Sequence, residues 1–288
     1  MPDTRNEKGK YMYCIIRSDE PPHRFGQSHG LAQGSGLSSA QAHRPGSGTP
    51  QGAPQFSTLG MGERGDIVHT VRFMNLAAVV SDSPIVEYES SRRNMMAHTL
   101  VLEEVMKDFT ILPVRFGTVA PSGQAIEEQV LKRRFGELNG LLAEMEGRAE
   151  MGLKAFWYEG IVFEEIVKEN PAIRRLRDGL IGRAQEETYY ERIRLGEMIE
   201  AAMWQKRDTD AEKILARLRP LVYKSIANKV IMDRMALNAA FLMEREREPE
   251  FDRAVQQLDA EMGTRLMFKY VGPVPPYNFV SIVIHWDE

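Results

Sequence analysis

From His98 to Val119 the chain reads HTLVLEEVMKDFTILPVRFGTV, which is a helix that hands over at once to a strand. Met95, His98, Leu102, Val105 and Phe109 recur at steps of three and four, one stripe of an α-helix. Glu103, Glu104, Lys107 and Asp108 fall away from that stripe, so the apolar side has to be buried. Ile111 to Val119 is too short and too rich in β-branched residues for a second helix. It reads as a strand with Leu112, Val114 and Phe116 on one face. Pro113 limits its ladder, and Gly117 marks a bulge or a close backbone approach at its far end. None of these residues forms a catalytic arrangement.

Around this core the pattern alternates between strands and helices. Lys10–Arg17 is an opening strand, apolar on both faces and therefore central in its sheet. Ile67–Phe73 and Leu76–Ser81 form a hairpin-like pair about Asn75. A helix capped by Ser90 or Ser91 runs to Asp108, and Ser122 caps another through Phe135. A second unit begins near Arg148. Its first strand, Arg148–Tyr158, sets Met151, Leu153, Ala155 and Trp157 on one face. Helical segments follow at Ile161–Glu169, Pro171–Ile181, Glu186–Lys206 and Thr209–Leu218. In the longest, Tyr189, Ile193, Gly196, Ile199 and Met203 form the expected buried stripe, and Asp208 or Thr209 restarts the next helix. Strands Leu221–Ala227 and Met235–Glu244, helix Pro249–Met262 and strand Arg265–Val271 complete the set.

The expected fold is α+β, with two tandem ferredoxin-like sandwich domains and an extended tail strand. The boundaries are residues 1–17 for the first strand, 18–65 for an insertion, 66–146 for the rest of the N-terminal domain, 147–271 for the C-terminal domain with its helical insertion, and 272–288 for the tail. Residues 18–65 hold 10 glycines and 5 prolines without hydrophobic periodicity. Such a stretch is expected to be disordered. In the tail, Gly272-Pro273-Val274-Pro275-Pro276 is an extended connector. Tyr277–Trp286 then reads as a last strand, which needs a cover. The favoured cover is one of the chain's own sheets, bridging the two domains; the alternative is an open edge for a partner, with Tyr277, Phe279, Val280, Ile282 and Ile284 as its contacts.

Composition removes several function classes. A formal net charge of −4 argues against a protein built mainly to bind nucleic acid. The one cysteine, Cys14, cannot close an internal disulfide. No run approaches the roughly 20 apolar residues of a membrane helix, and the polar N-terminus lacks a secretory core. A cytoplasmic protein is expected.

The candidate chemistry is thin. His98 lies on the apolar stripe, and Glu103, five positions on, points about 140° away; a core histidine with a satisfied ring nitrogen is favoured. Arg115 needs an acid or water, and an ion pair with Glu104, Glu127 or Glu128 is favoured over an anion site. The paired glutamates 103–104, 127–128, 164–165 and 186–187 read as solvated faces. His23, His29 and His43 have irregular spacing and no cysteine nearby, so no metal site is expected. No phosphate-binding glycine loop or nucleophile motif occurs, and no cofactor is expected.

Three blocks carry a family resemblance. His98-xx-Val101-Leu102-Glu103-x-Val105-Met106 followed by Leu112-Pro113-Val114-Arg115-Phe116-Gly117-Thr118-Val119, then Gly152-Leu153-Lys154-Ala155-Phe156-Trp157, then Gly272-Pro273-Val274-Pro275-Pro276-Tyr277-Asn278-Phe279-Val280, resemble the GvpL/GvpF family of gas vesicle proteins. Residues 18–65 contain no family motif. The resemblance implies an accessory or minor structural protein of the gas-filled shells that give microbes buoyancy. It would act in shell assembly by contacting the hydrophobic shell protein GvpA and other Gvp proteins, with no enzymatic activity. The rival expectation is a small-molecule enzyme on a ferredoxin-like scaffold, with a pocket near His98 and Arg115.

Overall fold

The computed structural model describes residues 8–18, 60–61, 67–158 and 160–286. They fall into two compact units, one drawn from Met1–Glu146 and Val280–Glu288, the other from Gly147–Phe279.

In the first unit, β1 (Lys8–Arg17), β2 (His69–Phe73) and β3 (Leu76–Pro84) form an antiparallel sheet with the short β4 (Leu112–Pro113), in the order β2-β3-β1-β4. Tyr11 to Ile16 have no exposed surface, which fits a central strand apolar on both faces. Helix α1 (Arg92–Met106) is capped by Ser91, whose hydroxyl accepts from the Asn94 N–H. It lays His98, Val101, Leu102 and Val105 into a cluster with Tyr11, Tyr13, Ile16, Ala77 and Val79.

The strand expected over Ile111–Val119 is split. Gly117 turns the chain at φ +83°, so β4 stops and β5 (Val119–Ala120) rejoins β1 separately. Ser122 then caps α2 (Gly123–Ala125), which widens into a π-helix over Ile126–Lys132, and α3 (Phe135–Met145) follows in a stretch to which the pattern assigns no element. Most of residues 18–65, including His23, His29 and His43, lies outside the described residues. Its end is nevertheless core: Met61 is buried in the α1 cluster and its N–H donates to the Tyr13 hydroxyl.

In the second unit, β6 (Arg148–Trp157), β7 (Lys224–Ala227), β8 (Met235–Glu244) and β9 (Leu266–Val274) are antiparallel in the order β7-β8-β6-β9. Helices α4 (Ile161–Glu169), α5 (Pro171–Gly179) and α6 (Tyr189–Leu218) join β6 to β7. Helix α7 (Glu248–Met262) joins β8 to β9. Numbered within the unit, the strands lie second-third-first-fourth, the order of a split β-α-β-β-α-β unit. The first sheet repeats that order, with residues 18–68 as its first crossover.

Helix α6 is one element of 30 residues rather than two. Thr209 does not restart it, because its hydroxyl donates 2.8 Å back to the Gln205 carbonyl one turn earlier and stays within the ladder. The expected buried stripe is also corrected: Tyr189 and Ile193 are exposed, and Leu195, Met198, Ile199 and Ala202 face the core beside the buried Met203.

Candidate partner-binding surfaces

His98 is sealed in an aromatic box. Its ring centre lies 5.7 Å from Tyr11 and from Tyr13, and 5.6 Å from Phe116. Its Nδ1 is 3.0 Å from the Tyr11 hydroxyl, which also accepts from the Gly117 N–H at 3.1 Å. The other ring nitrogen, Nε2, is buried with no hydrogen-bond partner, so the expected satisfied core histidine is satisfied at one end only. Burial pulls its pKa down to about 4, and the imidazole is neutral at pH 7. Arg115 stands exposed, paired with none of the glutamates expected for it; Glu104 and Glu128 instead bond Lys107 and Lys132 on their own helices. Splitting of the strand is the reason, since the turn at Gly117 carries Arg115 out of the sheet. Cys14 is fully buried and burial pushes its thiol well up, away from nucleophilic use.

The tail motif works as a strap. Gly272 sits at φ +150°, where a Cβ would lie 2.2 Å from the Met151 Sδ. Pro275 and Pro276 are buried. Asn278 then donates its backbone N–H and its side-chain amide to the Glu150 carboxylate at 3.0 and 2.5 Å, and the Asn228 amide donates to the Asn278 Oδ1 at 2.9 Å. Burial raises the Glu150 pKa, against those two bonds.

Beyond this anchor no strand forms over Tyr277–Trp286. Tyr277–Phe279 is a turn, and one parallel bridge joins Ile282 to Val114, because β4 is too short to extend a ladder. Val280 and Ile282, only 4% and 1% exposed, pack into the first unit. Of the five expected contact residues, these two are spent on the chain's own core. Phe279 and Ile284 are half-buried, and Tyr277 is exposed. The alternation that suggested the strand is real, but it records burial rather than pairing.

In the second unit a charged cleft of about 810 Å³ is lined by Glu165, Glu169, Lys206, Asp210 and Arg265 among others. Arg265 donates to Glu165 at 2.5 and 2.7 Å and to Asp210 at 3.2 and 3.1 Å. Asp210 also accepts from the Trp157 indole N–H at 2.9 Å, and Lys206 donates to Glu165 and Glu169. The hydrogen bonds from Arg265 hold the Glu165 carboxyl down at about 2. With each of these charges paired, the cleft is a structural brace. Among the described residues, no cluster of His, Cys, Asp and Glu could hold a metal ion, and no helix is long and apolar enough to cross a membrane.

Among the described residues, α1 and α6 each expose several large apolar side chains on one face. On α1, Met95, Met96, Thr99 and Leu100, with Ser90, Arg92 and Glu103, line a groove of about 580 Å³; Met96 and Leu100 are each 53% exposed. On α6, Tyr189, Tyr190, Ile193 and Trp204 are exposed. Sequence reasoning placed Met95, Tyr189 and Ile193 on buried stripes. No local signal separated them, since adjacent residues such as Val101 and Leu102 are both buried in one core on the same helix as Met95.

The family profile described as gas vesicle synthesis protein GvpL/GvpF matches residues 9–281. The chain is 29% identical over 218 residues to gas vesicle protein F of Microcystis aeruginosa (strain PCC 7806), covering 75% of this chain and 88% of the relative. It is 32% identical over 224 residues to gas vesicle protein F of Streptomyces sp. (strain CB03234), covering 77% and 92%. Among solved structures, GvpF from Anabaena sp. PCC7120 superposes with a TM-score of 0.73 at 24% identity, over 96% of this chain and all of that one. GvpF from Microcystis aeruginosa gives 0.68 at 26%, over 94% and 98%.

Proposed function

Because the chain belongs to the GvpL/GvpF family of gas vesicle proteins, we propose that it is an accessory protein of gas vesicle assembly, holding the hydrophobic shell protein GvpA, and other Gvp proteins, until they join the shell. The observation that carries this reading is the family match, which runs from β1 to the tail and so takes in both units. A shell subunit that repels water on its gas side is prone to aggregate beforehand, and a helper needs apolar surface to cover it. The α1 groove supplies such surface, and its methionines can adapt to a partner's shape. Of the five tail residues, Tyr277 keeps the largest exposed surface, at 44%. A catalytic reading has no observation in its favour, since His98 is sealed and neutral while Arg115 stands in solvent.

The test is a pull-down of GvpA from the protein's own source by the full chain, by a chain lacking residues 19–59, and by Met96→Asp/Leu100→Asp. Binding retained in the deletion and reduced at least tenfold in the α1 variant, with unchanged far-UV circular dichroism, is the expected outcome. Failure of the full chain to bind any Gvp protein removes the assembly reading; equal binding by the α1 variant removes only the groove.

A further inference from the structure

The exposed face of α6 has a chemistry of its own. Leu195, Met198, Ile199 and Ala202 turn onto the core of the second unit. At about 100° per residue, the opposite side carries Tyr189, Ile193, Glu197, Glu200 and Trp204, with Tyr190 at its margin. All six are exposed, Tyr190 to 81% and Trp204 to 54%. Gly196 lies at the other margin of the face, about 60° from its centre, and a Cβ there would meet nothing within 4 Å, so that edge is open to close approach.

Both ends of the face are pre-organised. Tyr189 and Tyr190 meet edge to face at 5.5 Å, and the Trp204 ring is braced by the Arg207 guanidinium 4.5 Å from its centre. Arg207 is itself tied to the Met235 and Asp233 carbonyls. Arg192 is turned back onto Thr188 and the Arg183 carbonyl, and Arg194 lies about 100° from the face centre. The charge on the face is therefore that of Glu197 and Glu200, set between aromatic and aliphatic anchors.

That pattern selects an occupant. A second copy packed antiparallel about Glu197 sets that carboxylate beside its own counterpart, and both glutamates repel anionic lipid or nucleic-acid backbone. We propose that the outward face of α6 docks an amphipathic helix of a partner protein, one presenting Lys or Arg between apolar residues. Its apolar side chains lie on Tyr189, Ile193 and Trp204 and its cations reach Glu197 and Glu200, the helix-on-helix mode of recognition. Rigid aromatic anchors at such a face carry most of the binding. This surface is separate from the α1 groove, and its test does not depend on GvpA.

The probes are two fluorescein-labelled 18-residue helical peptides, one of Leu and Lys, the other of Leu and Glu, titrated against the full chain by anisotropy. The Leu/Lys peptide is expected to bind and the Leu/Glu peptide not to. Glu197→Lys/Glu200→Lys should reverse that preference, by at least tenfold each way. Ile193→Asp should weaken the Leu/Lys peptide tenfold at unchanged Tm. The control Glu87→Lys/Glu89→Lys makes the same change in net charge elsewhere and should leave binding as it was. Absence of Leu/Lys binding, or an equal loss in the control, overturns the proposal. So does a wild-type dimer in sedimentation that Ile193→Asp dissolves, which assigns the face to a second copy.

Discussion

The two units lay their strands in the same order and stabilise them with different chemistry. The second unit closes its first crossover with three helices and braces two of them, α4 and α6, through Trp157, Asp210, Arg265 and Glu165. The first unit makes that connection with residues 18–68, packs their returning Met61 into its core, and buries a neutral histidine among aromatic rings instead of an ion pair. The fourth strand differs as well. It spans Leu266–Val274 in the second unit, whereas in the first it is reduced to β4, β5 and a bridge to Ile282. The comparison shows that sheet order is set by connectivity and apolar alternation, while the polar groups inside are free to differ as long as each arrangement tolerates burial.

This contrast can be broken in either unit, with hydrogen exchange resolved by segment as the readout. Removing residues 280–288 takes Val280 and Ile282 from the first unit. At about 1.5–3 kcal/mol for each buried side chain, the loss should be about 3–6 kcal/mol, felt first at β4, which Ile282 bridges, and around Arg134, which donates to the Val283 carbonyl; undisturbed exchange there means the tail is not part of that core. Asp210→Ala leaves the Trp157 N–H unpaired and takes one acid from Arg265, which keeps Glu165. The expected cost is about 3 kcal/mol, confined to the second unit. Met61→Ala should cost the first unit about 2–3 kcal/mol for the cavity left behind. No change in urea midpoint would separate the segment's end from the core.

Acid should then divide the units. The folded pKa of His98, about 4, lies below its ordinary value of 6.5. Its contribution is fully present above pH 6.5 and is lost as pH falls toward 4, on the order of 2 kcal/mol by pH 5. His98→Phe should flatten that slope in urea titrations of wild type and variant at pH 7 and pH 5; parallel losses would place the sensitivity elsewhere. Glu150 has the opposite sign. Its pKa is raised by burial, so its contribution is present below about pH 4.5 and is lost as pH rises through the raised value. Glu150→Gln should change stability at pH 7 by about 1 kcal/mol or less, toward greater stability relative to pH 4.5. A large loss at pH 7 would mean that the carboxylate's two bonds to Asn278 outweigh its desolvation.

Much of this was legible in residues taken a few at a time. The strand at Met235–Glu244 and the helix at Ile161–Glu169 follow from apolar alternation and from steps of three and four, which are properties of neighbours in the chain. The Ser91 and Ser122 caps were readable for the same reason. What misled was polarity without context. Asp208-Thr209 resembles a helix start, yet Thr209 back-bonds within α6 and Asp210 is held by Arg265 from 55 residues away. Tyr189 and Ile193 make a good stripe, but a stripe does not say whether a neighbour exists to cover it.

The sequence by itself determined the α+β class, the central place of β1, the absence of a long apolar span and the blocks that mark the family, because each is written in local pattern or composition. Only the tertiary structure decided that Val280 and Ile282 are core, that Arg115 is in solvent, that Met61 returns to the α1 cluster, and that α1 and α6 each expose large apolar side chains on one face. Burial is a relation between segments distant in the chain, and the periodicity of either segment alone does not contain it.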